Sequence, residues 1–178
     1  MPRPRPLRRR DRYPLTPLGA RIGRSTLSAV PRPGPPRRAL LIDLENMLHE
    51  QGDRVPDSLA SRRLEAIFTV AGPVQHTVVA AQTWALRRHL ALLAGRCPRV
   101  LIAPREPDSA DHLLLDCGHL LAAQGYGEFF IASRDGIFAP FAKGHRTTVI
   151  TPNRRTLSRE LREAAVAIIE LRCGSPST

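Results

Sequence analysis

The run Ala39-Leu40-Leu41-Ile42, broken off by the polar side chains Asp43, Glu45 and Asn46, most restricts what this chain can fold into. Consecutive apolar residues without polar alternation are the pattern of a strand buried on both faces, which needs a parallel sheet covered by helices on either side. A carboxylate that ends such a strand stands at its carboxyl end. Open α/β sheets bind their ligands there, so Asp43 and Asn46 are the first candidates for an active site.

The rest of the chain alternates in the same sense. A helical stripe (Leu59, Leu64, Ile67, Phe68) starts after Pro56-Asp57-Ser58 and is closed by Gly72-Pro73. Val74 to Ala81 reads as a second strand, Trp84 to Leu93 as a helix ended by Gly95, and Val100-Leu101-Ile102 as a third strand stopped by Pro104. The loop Arg105-Glu106-Pro107-Asp108 leads into a helix over 109–124, in which Leu113, Cys117, Leu120 and Gln124 recur at helical spacing and Leu114 and Leu121 widen the stripe. Asp and Ser at that helix start are ordinary capping residues, so one of Asp108, Ser109 and Asp111 is expected to be a cap. Glu128 to Ser133 forms a fourth strand that ends in Ser133-Arg134-Asp135-Gly136. A short helix through Phe138–Ala142, a fifth strand over Thr147–Thr151, and a last helix from about Ser158 to Arg172, closed by Gly174, complete the pattern. Strand–helix alternation of this kind predicts a three-layer α/β/α sandwich around a mainly parallel, five-stranded sheet.

Charge divides the chain unevenly. Residues 1–38 carry eleven Arg and one acid, Asp11, while the remaining 140 residues are nearly neutral with 16 basic and 15 acidic side chains. With nine prolines and few large apolar residues, residues 1–38 are expected to be a disordered basic arm that holds phosphate backbones without sequence preference, ahead of a domain over 39–174. No apolar run approaches the roughly 20 residues that span a bilayer, and no secretory apolar segment follows the basic start. A cytoplasmic protein without a membrane partner is therefore expected. Three widely spaced cysteines, Cys97, Cys117 and Cys173, suggest neither a disulfide framework nor zinc, and Cys117 reads as core packing.

Asp43, Asp111 and Asp135 come from two strand ends and one helix start, all placed for the same edge of the sheet. Three carboxylates near one point repel each other unless a cation lies among them, and oxygen-only ligands favour a hydrated Mg²⁺ or Mn²⁺. Such an ion suits phosphodiester hydrolysis. Asp116 lies five residues past Asp111, about 140° around a helix, and reaches the same ion only through a water or another side chain. No GxxxxGK[ST] loop is present. A phosphoacceptor role for Asp43 would need a Lys after the last strand, whereas the single lysine, Lys143, precedes the fifth.

The segments Leu41-Ile-Asp43-Leu-Glu-Asn46, Ser109-Ala-Asp111-His-Leu-Leu-Leu-Asp116 and Ile131-Ala-Ser133-Arg-Asp135-Gly-Ile-Phe138-Ala-Pro140 together resemble the NYN domain of the PIN-like nuclease superfamily over about residues 38–152. The resemblance implies a metal-dependent ribonuclease fold with Asp43, Asn46, Asp111 and Asp135 on the catalytic positions. Asp43, Asp111, Asp135 and Asp116 would supply the metal ligands, and Asn46 would position a metal water or the scissile phosphate. Ser133, Arg134 and Arg105 are the candidates for contact with substrate phosphate. Arg134 stands where that family has Gly, and Ile137 where many members carry a second acid. The alternative expectation is accordingly a catalytically weakened RNA-binding or adaptor protein. RNA is the expected partner; a homodimer or a further protein partner is left open by the sequence.

Overall fold

All four residues of the run Ala39–Ile42 are fully buried. The computed structural model describes residues 34–50, 53–94, 96 and 99–172. The run belongs to β1 (Arg37–Asp43), which is followed by α1 (Leu44–Leu48) and a small hairpin of β2 (His49–Glu50) and β3 (Asp53–Arg54). Then come α2 (Asp57–Ala71), β4 (His76–Gln82), α3 (Thr83–Leu93), β5 (Arg99–Ala103), α4 (Ser109–Ala123) and β6 (Tyr126–Ala132). A 3₁₀ turn at Gly136–Phe138 leads into α5 (Ala139–Gly144) and β7 (Thr147–Thr151). A second such turn, Arg154–Thr156, precedes α6 (Arg159–Ala164) and β8 (Ala167–Glu170).

Six of these strands form one sheet in the order β5-β4-β1-β6-β7-β8, with every neighbouring pair parallel. β1 sits between β4 and β6, so its backbone is paired on both edges as its composition demands. Alternate residues feed two cores. Leu40 and Ile42 pack with α1, α2 and α3 through Met47, Leu64, Ile67 and Leu86, while Ala39 and Leu41 pack with α4, α5 and α6 through Leu114, Cys117, Phe141 and Leu161. This is the expected three-layer architecture. Cys117 is buried in the second core, and burial pushes its thiol pKa up, as expected of a packing residue.

The sheet has six strands rather than five, because the last predicted helix stops early. The spacing of Leu157, Leu161, Ala164, Ile168 and Leu171 fits a helix, yet only Arg159–Ala164 is helical, and Ala167–Glu170 pairs with β7. The β7 edge would otherwise leave N–H and C=O groups unpaired. The segment around Val166-Ala167-Ile168-Ile169 is rich in β-branched residues and takes that edge, with Val166 N donating to Thr147 O (2.9 Å) and Leu171 N to Thr151 O (2.8 Å).

At the other boundary the ordered sheet starts at Arg37, ahead of residue 39. Arg37 lies over the Tyr126 ring at 3.9 Å and Arg38 over the Phe130 ring at 4.6 Å, so the last two arginines of the basic stretch are part of the fold. The expected arm, over residues 1–33, lies outside the described residues, as do Gly95, Cys97, Cys173 and Gly174.

Candidate functional site

From β1 the chain goes outward to β4 and β5, then returns to β6 and continues to β7 and β8 on the other side. The carboxyl ends of β1 and β6 therefore flank a topological switch point, where adjoining connections leave to opposite faces and open a crevice. Asp43 ends β1 and Ser133-Arg134-Asp135 follows β6, so sequence elements 90 residues apart meet there.

Asp43 is 4% exposed and held on both oxygens. Its Oδ1 accepts from Asn46 N (3.2 Å), which caps α1, and its Oδ2 accepts from the buried Ser133 hydroxyl (3.0 Å). Asp111, in the first turn of α4, is brought against it within reach of a carboxyl–carboxyl hydrogen bond. Burial raises the Asp43 pKa well above its ordinary 3.8, and the charge of Asp111 raises it further. Burial also raises Asp111, with Asp135 and Asp108 adding to the effect and the hydrogen bond to Asp43 opposing it. Asp111 Oδ1 is buried without any hydrogen-bond donor. Two buried carboxyls facing each other with an oxygen left over call for something positive between them: a shared proton or a cation.

The pair opens onto a cavity of about 250 Å³ lined by Asp43, Glu45, Asn46, His49, Gln82, Glu106, Pro107, Asp108, Ser109, Ala110 and Asp111. Five of those side chains are carboxylates, and neither Arg nor Lys is among them. Glu45 is fixed by Gln82 N, which donates to its Oε1 (3.0 Å). His49 Nδ1 donates to Glu45 O (2.8 Å), which leaves Nε2 as the acceptor when the ring is neutral. Glu45, His49, Gln82 and Glu106 carried no motif in the sequence; only the proximity of Glu45 and His49 to Asp43 pointed to them. Asp108 is at the N-cap position of α4 but makes no side-chain cap bond and has a left-handed backbone, φ 56°. Asp108, one of three candidates for a cap, thus lines the cavity from a strained loop without capping the helix. Ser109 also faces inward to the loop, donating to Pro104 O and Glu106 O.

The other wall differs from expectation. Asp135 is exposed and accepts from Ile137 N (2.9 Å), so it caps the 3₁₀ turn; its charge is felt by Asp111, but it does not line the cavity. Asp116, expected among the metal ligands, is exposed further along α4 and is not among the lining residues, because a position about 140° around the helix from Asp111 faces elsewhere. Among the described residues no three His, Cys, Asp or Glu groups converge as a metal cage. The converging set is the pair Asp43–Asp111, which matches the chemistry of Mg²⁺ or Mn²⁺, ions held through one or two carboxylates with water completing the shell.

Asn46 and Arg134 form a fastener. Asn46 Oδ1 accepts from Arg134 N (3.0 Å) and Arg134 Nε (2.9 Å), while Arg134 Nη2 donates to Asn46 O (2.6 Å) and His49 O (3.0 Å). Asn46 Oδ1 is therefore already engaged by two donors, so a water or phosphate oxygen would be met by the Asn46 Nδ2 donor, and most of the Arg134 donors are turned toward α1 and the hairpin. Arg134 Nη1 alone points elsewhere, toward Thr156 Oγ1 (3.5 Å). Ser133 receives Asp135 N (3.2 Å) and donates to Asp43, so it positions a carboxylate where phosphate contact was expected. Arg105 is exposed in the loop whose next three residues line the cavity.

No protein-family model matches the chain, and no curated protein matches it. Among solved structures it is similar to the crystal structure of a protein of unknown function from Vibrio parahaemolyticus, at 16% identity and a TM-score of 0.57, over 76% of this chain and 93% of that one. That likeness extends to the α/β fold alone.

Proposed function

We propose that the chain is a Mg²⁺- or Mn²⁺-dependent ribonuclease acting at the crevice between β1 and β6. The observation that carries this is the buried Asp43–Asp111 pair with its unpartnered oxygen, at the head of an acidic cavity placed where α/β sheets bind ligands. A phosphodiester would be repelled by these five carboxylates unless a cation offset them, so a metal and a phosphate substrate belong together here. The bound ion would polarise the phosphoryl oxygen and increase the acidity of a water. Asp43 and Asp111 would hold it. Ser133 and Asn46 N keep Asp43 oriented, and the Asn46–Arg134 fastener keeps the ends of β1 and β6 in register. His49, with Nε2 open to accept, is the group in the lining suited to take a proton.

Replacing Asp43 or Asp111 by Asn is expected to lower Mn²⁺-dependent cleavage of single-stranded RNA by at least about 100-fold while the protein stays folded. Cleavage that survives both changes, or that runs equally well in EDTA, overturns the assignment.

A second reading is an RNA-binding protein with weakened catalysis, favoured by the exposure of Asp135 and by Ile137 at the position of the missing acid. It predicts salt-sensitive RNA affinity with no turnover at any divalent ion concentration.

A further inference from the structure

The carboxyl edge of the sheet carries a second cavity of opposite character. About 250 Å³ in volume, it is lined by Arg154, Arg155, Arg162 and Ile168, where the turn Arg154–Thr156 and α6 meet the edge strand β8. Two of its arginines are anchored to backbone. Arg154 Nη2 donates to Ile168 O (2.6 Å), and Arg162 Nη2 donates to Arg154 O (2.8 Å) and Leu157 O (3.2 Å). Each anchor engages one nitrogen and fixes the guanidinium plane, so the remaining N–H groups are held ready for an acceptor. The Arg155 guanidinium has no hydrogen bond or ion pair among the described residues. One carboxylate opposes the three: Glu170, whose Oε2 lies 3.9 Å from Arg154 Nε and whose Oε1 accepts from Arg154 N. The local excess is two positive charges.

We propose that this cavity seats a backbone phosphate of the RNA whose scissile bond lies at the acidic cavity, a proposal that rests on the ribonuclease reading for the identity of the polymer. Without a cation the acidic cavity repels a polyanion, so affinity in the absence of metal must come from basic groups outside it. Continuity along the edge selects this cavity. Arg134 contacts Thr156 of the arginine-bearing turn through Nη1 and, through its other donors, Asn46 of the acidic cavity. Arg134 and Thr156 line a small intervening cavity with Glu50 and Asn153, and Asn153 and Thr156 flank Arg154 and Arg155 in the chain, so Arg134 and this turn link the acidic cavity to the arginine-lined one. A free phosphate would fill one of them; a chain of phosphates reaches both. Anchored guanidinium groups bind phosphate bidentately and without reading the base, so the seat fixes where RNA lies and leaves its sequence unread.

The test uses the full chain, a fluorescein-labelled single-stranded RNA oligonucleotide and EDTA, so that binding is read without cleavage. Arg155→Gln and the double variant Arg154→Gln/Arg155→Gln are compared with Arg87→Gln, an exposed arginine on α3, after circular dichroism confirms that each is folded. The slope of log K against log[salt] is expected to fall by about 0.7 per lost contact in the cavity variants and to stay unchanged for Arg87→Gln. Slopes that do not move, or that fall equally for Arg87→Gln, overturn the seat in favour of diffuse attraction. Displacement of the RNA by inorganic phosphate at matched ionic strength overturns it in favour of a free-anion site. Because turnover by the wild-type protein in Mn²⁺ is measured separately, a protein that binds through these arginines yet never cleaves would sink the ribonuclease reading alone.

Discussion

At the scale of single residues, Asp43 and Asp111 reduce the stability of the fold at neutral pH. Both have folded-state pKa values raised above the ordinary 3.8, Asp43 by burial and by the charge of Asp111, Asp111 by burial and by the charges of Asp135 and Asp108. A raised carboxyl stabilises the folded state only while it stays protonated: its contribution is full below pH 3.8 and is lost as the pH climbs through the folded-state value. Asp111→Asn is therefore expected to match wild type in acid and to become the more stable protein as the pH rises, which thermal melts from pH 3 to 8 would show. Saturating Mn²⁺ should reverse the order by raising the melting temperature of wild type alone, by the equivalent of about 2.7 kcal/mol at 100 times Kd. A variant less stable than wild type at pH 7 without metal would mean that Asp111 makes a favourable contact. Asn46 acts in the opposite direction. Truncating it to Ala leaves Arg134 N and Nε without their acceptor, at a cost of about 1–3 kcal/mol in urea unfolding.

Among the elements, α4 carries Asp111 and packs closely on the sheet. Gly118 lets it approach the sheet: a Cβ there would stand 3.0 Å from the Phe141 ring and 3.2 Å from Leu41 Cδ1, both fully packed. Gly118→Val is expected to lower stability by about 2 kcal/mol in chemical unfolding, since overpacking outweighs the helix propensity gained by replacing glycine. Asp111 sits in the first turn of this helix, so the same variant should also weaken Mn²⁺ binding. The elements readable in the sequence are β1, from an unbroken apolar run, and α4 as a helix, although its buried face runs through Leu114, Cys117 and Leu121 while Leu120 is exposed. β8 was not readable, because the four-three spacing that runs from Leu157 to Leu171 is that of a helix, and the vacant edge of β7 overrides it after Ala164. The hairpin β2–β3 was also hidden. It is held by Arg63, buried on α2, which donates to Met47 O (3.0 Å) and pairs with Glu50, contacts with no local signature.

Over the whole molecule, charge is sorted into three regions: a basic stretch at residues 1–33, an acidic cavity at the switch point and an arginine-lined cavity beside β8. Pro33–Thr178 makes a compact unit by its own contacts. Removing residues 1–32 is therefore expected to leave the melting temperature unchanged while lowering RNA affinity most at low salt, as loss of counterion-releasing contacts requires. An unchanged affinity would show those arginines to be idle. The sequence by itself determined the parallel sheet, the burial of β1 and the placement of Asp43 and Asp111 at one sheet edge, because unbroken apolar runs and strand–helix alternation leave few other solutions. Tertiary structure alone decided which polar groups face each other there. Asp135 turned away to cap its own turn, Asn46 and Arg134 joined across 88 residues, and Glu45, His49 and Glu106 entered the cavity, since hydrogen bonding and desolvation act on distances in space that sequence spacing does not encode.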